Sequence, residues 1–469
     1  MSECFDGLRE ECGIFGVYGS GGVPAAQTVY SGLFALQHRG QESCGMALSD
    51  MGVISCHKNM GLVSEVFGSA GLASLPGQAA IGHVRYSTAG GSTPENSQPF
   101  VFRYAKGRFA IAHNGNLVNS EQIKDELALN GALFQSTGDS EVIAHIIAQE
   151  RIAAPSIEKA VLAATGRLRG SYSLLVMSPR KIVAARDPFG FRPLVIGRTD
   201  GAVVFASESC ALDAVGAAFE RDVEPGEIVV ADPGGLRVVR AGCPGRKRLC
   251  VFEYIYFARP DSVIDKVSVH DSRVKAGALL ARQHPVEADV VIGVPDSGLD
   301  AAIGFSRESA IPFGLGFVRN NYVGRTFIKP EQSKRREGVD IKLSPVPETV
   351  KGKRVVMVDD SIVRGSTTSG IIRQLKAAGA SQVHVRISSP TIRWPCYFGT
   401  DIPTRDELVA NRYTVPELAA AIGADSLGFL AVESLREIVF AQTKNYCDAC
   451  FTGLYPDAPP GADAQIEEI

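Results

Sequence analysis

No apolar run in this sequence approaches the roughly 20 residues that a membrane-spanning helix needs, which removes helical membrane proteins from consideration. Charge of one sign is also missing. The formal net charge is −3, which gives no electrostatic reason to expect nucleic acid or an anionic membrane as partner. Internal repeats and low-complexity tracts are absent. The first eleven residues, MSECFDGLREE, are acidic and lack the basic-then-apolar layout of a secretory signal. Cytoplasmic residence follows as the default. In a reducing cytosol ten cysteines are poor material for structural disulfides, so clustered ones point to metal or to catalysis. Isolated ones such as Cys44, Cys56 and Cys210 lie among apolar or small neighbours and read as buried small hydrophobes.

What is present is length and two kinds of pattern. With 469 residues the chain is too long for one hydrophobic core, and two domains are expected. The first half carries short strand-like runs (CGIFGVYG, GMALSD, AAIGHVRY, FAIAHNGNL, YSLLVM, KIVAAR, VVFASE) punctuated by Gly, Asn and Asp. Helical patterns intervene at 120–130 and 139–150, the second opening on Gly138-Asp139-Ser140 as a cap signal. In the second half, DVVIGV and RVVMVDD are wholly apolar before a polar loop and a helical pattern, as buried parallel strands of an α/β domain require. The basic stretch Gly245–Arg248 is the best boundary. The tail after Tyr455, PDAPPGADAQIEEI, has the composition of a disordered end.

Cys12 stands before the apolar segment Gly13-Ile14-Phe15-Gly16, a placement that packing alone explains equally well. Its company matters more. His83–Thr88 (HVRYST), His113–Leu117 (HNGNL) and Gly138–Ser140 each put polar residues at the end of an apolar run or the start of a helix. Each alone also reads as turn and cap chemistry; together they supply what hydrolysis of a glutamine amide requires. A thiolate attacks the carbonyl, Asn and Gly donors stabilise the oxyanion, and an arginine and a carboxylate hold the substrate's α-carboxylate and α-amine. No histidine has an obvious claim to be the base. A free N-terminal amine on Cys12, with a pKa of about 7.7–8.0, could take the proton if residues 1–11 were removed.

The blocks ECGIFGV, LFALQHRGQESCGMA, HVRYST, HNGNL and RDPFGFRPL resemble class II glutamine amidotransferases, and among them the amidophosphoribosyltransferase family, through nearly the whole chain. The resemblance implies an N-terminal-nucleophile hydrolase αββα sandwich over 12–245, preceded by a propeptide at 1–11. Cys12 would be the nucleophile with its own α-amine as base, Asn114 and Gly115 the oxyanion hole, and Arg85 and Asp139 the glutamine clamp.

Lys353–Ala380 reads as an apolar strand ending in Asp359-Asp360, then a Gly/Ser/Thr loop, then a helix with Ile371, Ile372 and Leu375 on one face. Amides at that helix start, with the hydroxyls of Ser366, Thr367 and Thr368, suit a terminal phosphate. The Gly-Lys-Ser/Thr ending of a Walker A loop is absent. The acidic pair suits ribose hydroxyls and Mg²⁺; as adjacent acids at a strand end they could also be solvated turn residues. The segment resembles the phosphoribosyl pyrophosphate motif of type I phosphoribosyltransferases, which implies an α/β domain over 246–455. In that resemblance Asp359, Asp360, Ser361, Arg364, Gly365, Ser366 and Thr367 hold ribose phosphate. Pro295, Asp296, Ser297 and Gly298 meet the pyrophosphate, and Ser297, Asp359 and Asp360 surround one magnesium. The basic stretch Asn320–Lys342 reads either as a solvated loop or as a lid closing over pyrophosphate through Arg325 and Lys329.

Cys447-Asp448-Ala449-Cys450 is a CxxC, and Cys250 and Cys396 lie far from it in sequence, unlike a ferredoxin run. Within the resembled family one subgroup with a propeptide carries a [4Fe–4S] cluster on four cysteines, and this chain has one at each place: Cys250, Cys396, Cys447 and Cys450. Tetrahedral zinc is the competing occupant. The resemblance further implies a homotetramer and feedback inhibition by purine nucleotides. The expected activity is transfer of ammonia from glutamine to phosphoribosyl pyrophosphate, giving 5-phosphoribosylamine. A sugar-phosphate aminating enzyme or asparagine synthetase would need a different second half. A phosphoribosyl pyrophosphate-binding repressor would need a basic extension and no glutaminase residues.

Overall fold

The computed structural model describes residues 11–19, 23–68, 71, 75–86, 91–320, 343–400, 402, 404–441, 444–459 and 465–467. In the first half, short apolar runs separated by turns form two antiparallel sheets. The seven-stranded sheet runs Ala218–Asp222, Val195–Thr199, Ala202–Ala206, Gly13–Gly19, Ala79–Arg85, Ser43–Asp50, Val53–Met60. The six-stranded sheet runs Gly235–Arg240, Ile228–Asp232, Lys181–Arg186, Gly170–Ser178, Gly107–Leu117, Phe100–Tyr104. Alternation along the strands sends Ile14, Ile81 and Phe205 from one sheet, and Leu175, Ile182 and Ala184 from the other, into a shared dry layer. Helices cover their opposite faces: Phe15 packs with Val29 and Leu33 of the helix Ala25–Ala35, and Ile111 with Ile143 and Ile147 of Asp139–Ala153. The result is the expected αββα sandwich.

The second half holds a four-stranded parallel sheet in the order Val290–Gly293, Arg354–Asp359, Gln382–Ile387, Ser426–Phe429, with Val290 opposite Val355 and Val355 opposite Val383. Helices cover both faces, which is why Val290–Gly293 and Val355–Val358 are apolar throughout. Val269–Gln283 and Gly298–Ser309 pack on one side, so closely that a Cβ on Gly277 would lie 1.8 Å from the Ala301 carbonyl oxygen. Ser366–Ala377 and Val415–Ile422 pack on the other. The two sheet systems change over between Arg240 and Leu249, and Leu249–Cys250 already pairs with Tyr446–Cys447. No helix among the described residues is long and apolar enough to cross a membrane.

Three expectations change. The stretch read as a disordered end contributes Gln465–Ile466 as a strand on Leu454–Tyr455, and Glu467 accepts from Arg248 Nε at 3.1 Å; backbone pairing and one buried arginine outweigh the composition. Cys44 and Cys210 are buried, but Cys56 is exposed, because its strand Val53–Met60 is the sheet edge and turns that face to solvent. At the start of Asp139–Ala153 no side chain caps the helix: Asp139 Oδ2 accepts instead from the Leu117 N–H at 2.9 Å, and Ser140 Oγ is engaged with His113 Nδ1 at 3.0 Å.

Candidate active site

Strand ends gather the first site. Cys12 enters the strand Gly13–Gly19, whose Gly13 pairs with Val84, so Arg85 and Tyr86 continue beside it. His113–Gly115 arrive on Gly107–Leu117, and Asp139 and Ser140 on the helix behind. One cavity is lined by Cys12, Arg85, Tyr86, Asn96, Gln98, Phe100, His113, Gly115, Gly138, Asp139 and Ser140. Four of the five residues expected for glutamine chemistry therefore meet there. The fifth, Asn114, is buried next to Gly115, and its Nδ2 has no hydrogen-bond partner. A buried donor left unused costs free energy unless something arrives to accept from it. Gly115 has φ +148, and a Cβ there would stand 2.2 Å from the Ser171 carbonyl oxygen, so only glycine fits.

The Cys12 thiol donates to the Tyr86 carbonyl at 3.4 Å. Burial pushes it up to about 11, with the Tyr86 bond and the Arg85 charge opposing. At neutral pH it is a thiol, so attack must be coupled to proton removal by a base. Arg85 is held by Glu42 at 2.7 Å. Burial would raise the Asp139 carboxyl, but the His113 charge and hydrogen bonds from His113, the Leu117 N–H and Ser140 hold it below the ordinary range. It is an anion suited to an ammonium group. Tyr86, Asn96, Gln98, Phe100, His113, Gly138 and Ser140 are the cavity residues that the sequence did not mark as site residues. Gln98 ties the wall together, accepting from the His113 N–H at 2.8 Å and donating to the His113 carbonyl at 3.3 Å. His83 also donates from Nε2 to that carbonyl, at 3.0 Å, which makes it a brace.

Because Asn114 Nδ2 makes no other bond, Asn114→Ala should leave the melting temperature unchanged. It should lower kcat for glutamate release from glutamine by roughly 10²–10³-fold, the usual effect of losing one oxyanion donor. Steady-state glutaminase assays beside a thermal melt check both halves of that expectation.

The second site forms at the carboxyl ends of the parallel strands, where an open α/β sheet places its ligands. Asp359 closes Arg354–Asp359, and the Asp360 N–H donates to Asp359 Oδ1 at 3.0 Å. Ser297 Oγ donates to Asp360 Oδ1 at 2.6 Å, and Ser361 Oγ also reaches Asp360. Ser297, Asp359 and Asp360 thus come together. Both carboxyls are raised by burial, and Asp359 further by its neighbour's charge. Gly298 lies so close to the central strand that a Cβ would meet the Val358 carbonyl oxygen at 2.5 Å. Gly365, at φ +87, turns the chain so that Ser366 and Thr367 open the helix Ser366–Ala377, the end at which a helix presents its N–H groups. Asp296 pairs with Arg319, and Arg364 with Glu407 at 2.8 Å. Pro295 precedes them in the loop after Val290–Gly293. Arg325 and Lys329, like the rest of 321–342, lie outside the described residues.

The four cysteines converge from three segments. Cys250 and Cys447 are opposite partners in a parallel pair. Cys450 follows within a turn, and its carbonyl accepts from the N–H groups of Arg393 and Trp394 at 3.0 Å, which brings Cys396 alongside. Burial and the neighbouring thiols push Cys250 up to about 12 and Cys447 and Cys450 well above the ordinary range. Among the described residues no three His, Cys, Asp or Glu side chains close around a single ion.

Fold and cavity together define a class II glutamine amidotransferase domain joined to an α/β half of phosphoribosyltransferase type. The family described as "Glutamine amidotransferase domain" matches residues 83–214. The chain is 48% identical over 455 residues to amidophosphoribosyltransferase of Bacillus subtilis, covering 96% of this chain and 95% of that one. It is 47% identical to that of Methanocaldococcus jannaschii, covering 95% and 97%. A solved structure of the Bacillus subtilis glutamine phosphoribosylpyrophosphate amidotransferase, complexed with ADP and GMP, superposes with a TM-score of 0.89 at 46% identity, covering 97% of this chain and 99% of that one. A solved structure of the allosteric regulatory enzyme of purine biosynthesis gives 0.90, also at 46% identity, covering 97% and 98%. The chain belongs to the amidophosphoribosyltransferase family, whose members are glycosyltransferase-type enzymes acting at the first step of purine biosynthesis.

Proposed function

We propose that the chain divides the reaction between its two halves. Residues 12–245 hydrolyse glutamine, and residues 246–455 join the released ammonia to phosphoribosyl pyrophosphate. The observation that carries this is the cavity shared by Cys12, Arg85, Gly115 and Asp139 in the same chain as the Ser297–Asp360 pair. In the first half, Arg85 and Asp139 bind the α-carboxylate and α-amine of glutamine. Cys12 Sγ attacks the amide carbon, and its proton passes to the Cys12 α-amine once residues 1–11 are gone. The Asn114 side chain and Gly115 N–H donate to the oxyanion. Ammonia leaves, and water releases glutamate from the thioester. In the second half, Ser366, Thr367 and Gly365 orient the 5′-phosphate, and Asp359 and Asp360 accept from the ribose hydroxyls. Pro295–Gly298 lie along the pyrophosphate. One Mg²⁺ on Ser297, Asp359 and Asp360 would neutralise the leaving pyrophosphate; two adjacent carboxyls raised by burial fit a dication.

Glutamate release, measured with and without Mg²⁺–phosphoribosyl pyrophosphate on protein beginning at Cys12, tests the coupling. A rate that rises with phosphoribosyl pyrophosphate supports it; equal rates overturn it. By kinship with the relative solved with ADP and GMP, this chain binds purine nucleotides; that they inhibit it, and that it is a homotetramer in the cytoplasm, is what the family resemblance adds to this reading.

Cys250, Cys396, Cys447 and Cys450 fit one [4Fe–4S] cluster in a structural role. The thiols are mutual neighbours drawn from three segments of the chain. Cys447→Ser should yield colourless protein with iron lost by metal analysis, while the anaerobic parent is brown. A colourless, zinc-loaded parent overturns the assignment.

A further inference from the structure

Behind the proposed oxyanion hole runs a segment of the other half of the chain. Asn116 Nδ2 donates to the Tyr397 carbonyl at 2.9 Å. The Phe398 carbonyl accepts from Arg192 Nη2 at 2.7 Å, and the Phe398 ring stacks on Phe191 with centroids 4.2 Å apart. Gly399 lies against the strand end itself: a Cβ there would stand 2.9 Å from Arg192 Nη2 and 3.4 Å from the Gly115 carbonyl carbon. Its φ of +108 also favours glycine. The segment is pinned at its start, where the Phe398 N–H donates to Cys396 Sγ at 3.4 Å.

Gly115 is the point at which this matters. Strand pairing with Tyr172 holds one side of its backbone, but a glycine at positive φ has no side chain to lock the peptide plane that carries its N–H. An oxyanion donor is useful only when aimed at the position the charge will occupy. The contacts that close the other side come from residues about 280 positions away, through Asn116.

We propose that Tyr397–Thr400 is a positioning strap for the amide-hydrolysing site, fixing the Gly115 peptide from behind through Asn116. This rests on the reading of Cys12 as nucleophile and Gly115 as oxyanion donor. Among the described residues the hydrogen bonds of the strap to the first half go to Asn116, Arg192 and Glu11, and none goes to Asp139, so it sets kcat and not the affinity for glutamine.

The test compares Asn116→Ala and the isosteric Asn116→Asp, which cannot donate to a carbonyl, with the parent and with Cys12→Ala. Glutamine hydrolysis, phosphoribosylamine formation from supplied ammonia, and thermal melts are measured on the full processed chain. Both Asn116 variants should lose at least about tenfold in kcat for glutamine, with KM within about twofold. Their ammonia-dependent rate should also stay within about twofold of the parent. Unchanged kcat, or a parallel fall in both activities, overturns the strap while Cys12→Ala, inactive toward glutamine, leaves the site reading intact. Hydrolysis retained in Cys12→Ala overturns the site reading and the strap together.

Discussion

Cys12→Ala should abolish glutamine hydrolysis, a loss of about 10⁴-fold or more, and leave ammonia-dependent synthesis within about twofold of the parent. The magnitude follows from chemistry that has no substitute in the cavity. Its other lining residues supply charges, amides and hydroxyls, and none replaces a soft nucleophile beside Gly115. The thiol begins disadvantaged, because burial holds it up at about 11 and little thiolate exists at neutral pH. With the α-amine as base, glutaminase should rise with pH through about 7.7–8.0 and then level off. Protein that keeps residues 1–11, in which that nitrogen is an amide, should be inactive toward glutamine at every pH. Glutamate release across pH on both forms, with the N-terminus read by mass, checks this. Hydrolysis by the uncleaved chain would transfer the base to another group, with His113 Nε2, buried and without a hydrogen-bond partner, next in line.

Much of this was legible because the chemistry sits at strand ends. Apolar runs such as AAIGHVRY and RVVMVDD announce both the strand and the place where it stops, and Arg85 and Asp359 stand at those stops. The αββα sandwich and the parallel sheet follow from the same alternation, polar-punctuated in one half and continuous in the other. What the sequence concealed are choices made between distant groups. Gly138-Asp139-Ser140 reads locally as a cap, yet the Leu117 N–H and His113 compete for those side chains and win. Cys56 has the same kind of neighbours as Cys44, and only the edge position of its strand exposes it. Cys250 and Cys447 become neighbours through a two-residue parallel pair that no local pattern signals. Gln98 and Asn96 belong to no chemical motif, and their place in the cavity wall comes from tertiary contacts alone.

Arg39 is the residue most hidden from sequence, and its removal should have the largest effect on stability. It lies in LFALQHRG with no visible partner, yet its side chain is fully buried between the halves. Nη1 meets Glu208 at 2.7 Å, and Nη1 and Nη2 meet Glu253 at 2.8 Å each. Nε donates to the Cys12 carbonyl at 3.0 Å. Glu208 also accepts from His38, the Arg259 N–H and Ser262. Burial acts to raise the Glu208 carboxyl, but His38 and Arg39 outweigh it and hold it well below the ordinary range. A carboxyl depressed in the folded state contributes stability above its unfolded pKa and loses it as pH falls through the folded value. Arg39→Met keeps most of the volume and removes the charge, leaving two buried carboxylates short of a partner. Breaking such a network costs about 3–5 kcal/mol, or about 5–10 °C in apparent melting temperature for domains of this size. The pH dependence separates charge from packing. Without Arg39 the Glu208 carboxyl takes up a proton more readily, so the gap between variant and parent should be widest near neutral pH and shrink toward about pH 5. A gap that stays constant between those pH values would show that lost packing, and not stranded charge, is what Arg39 prevents.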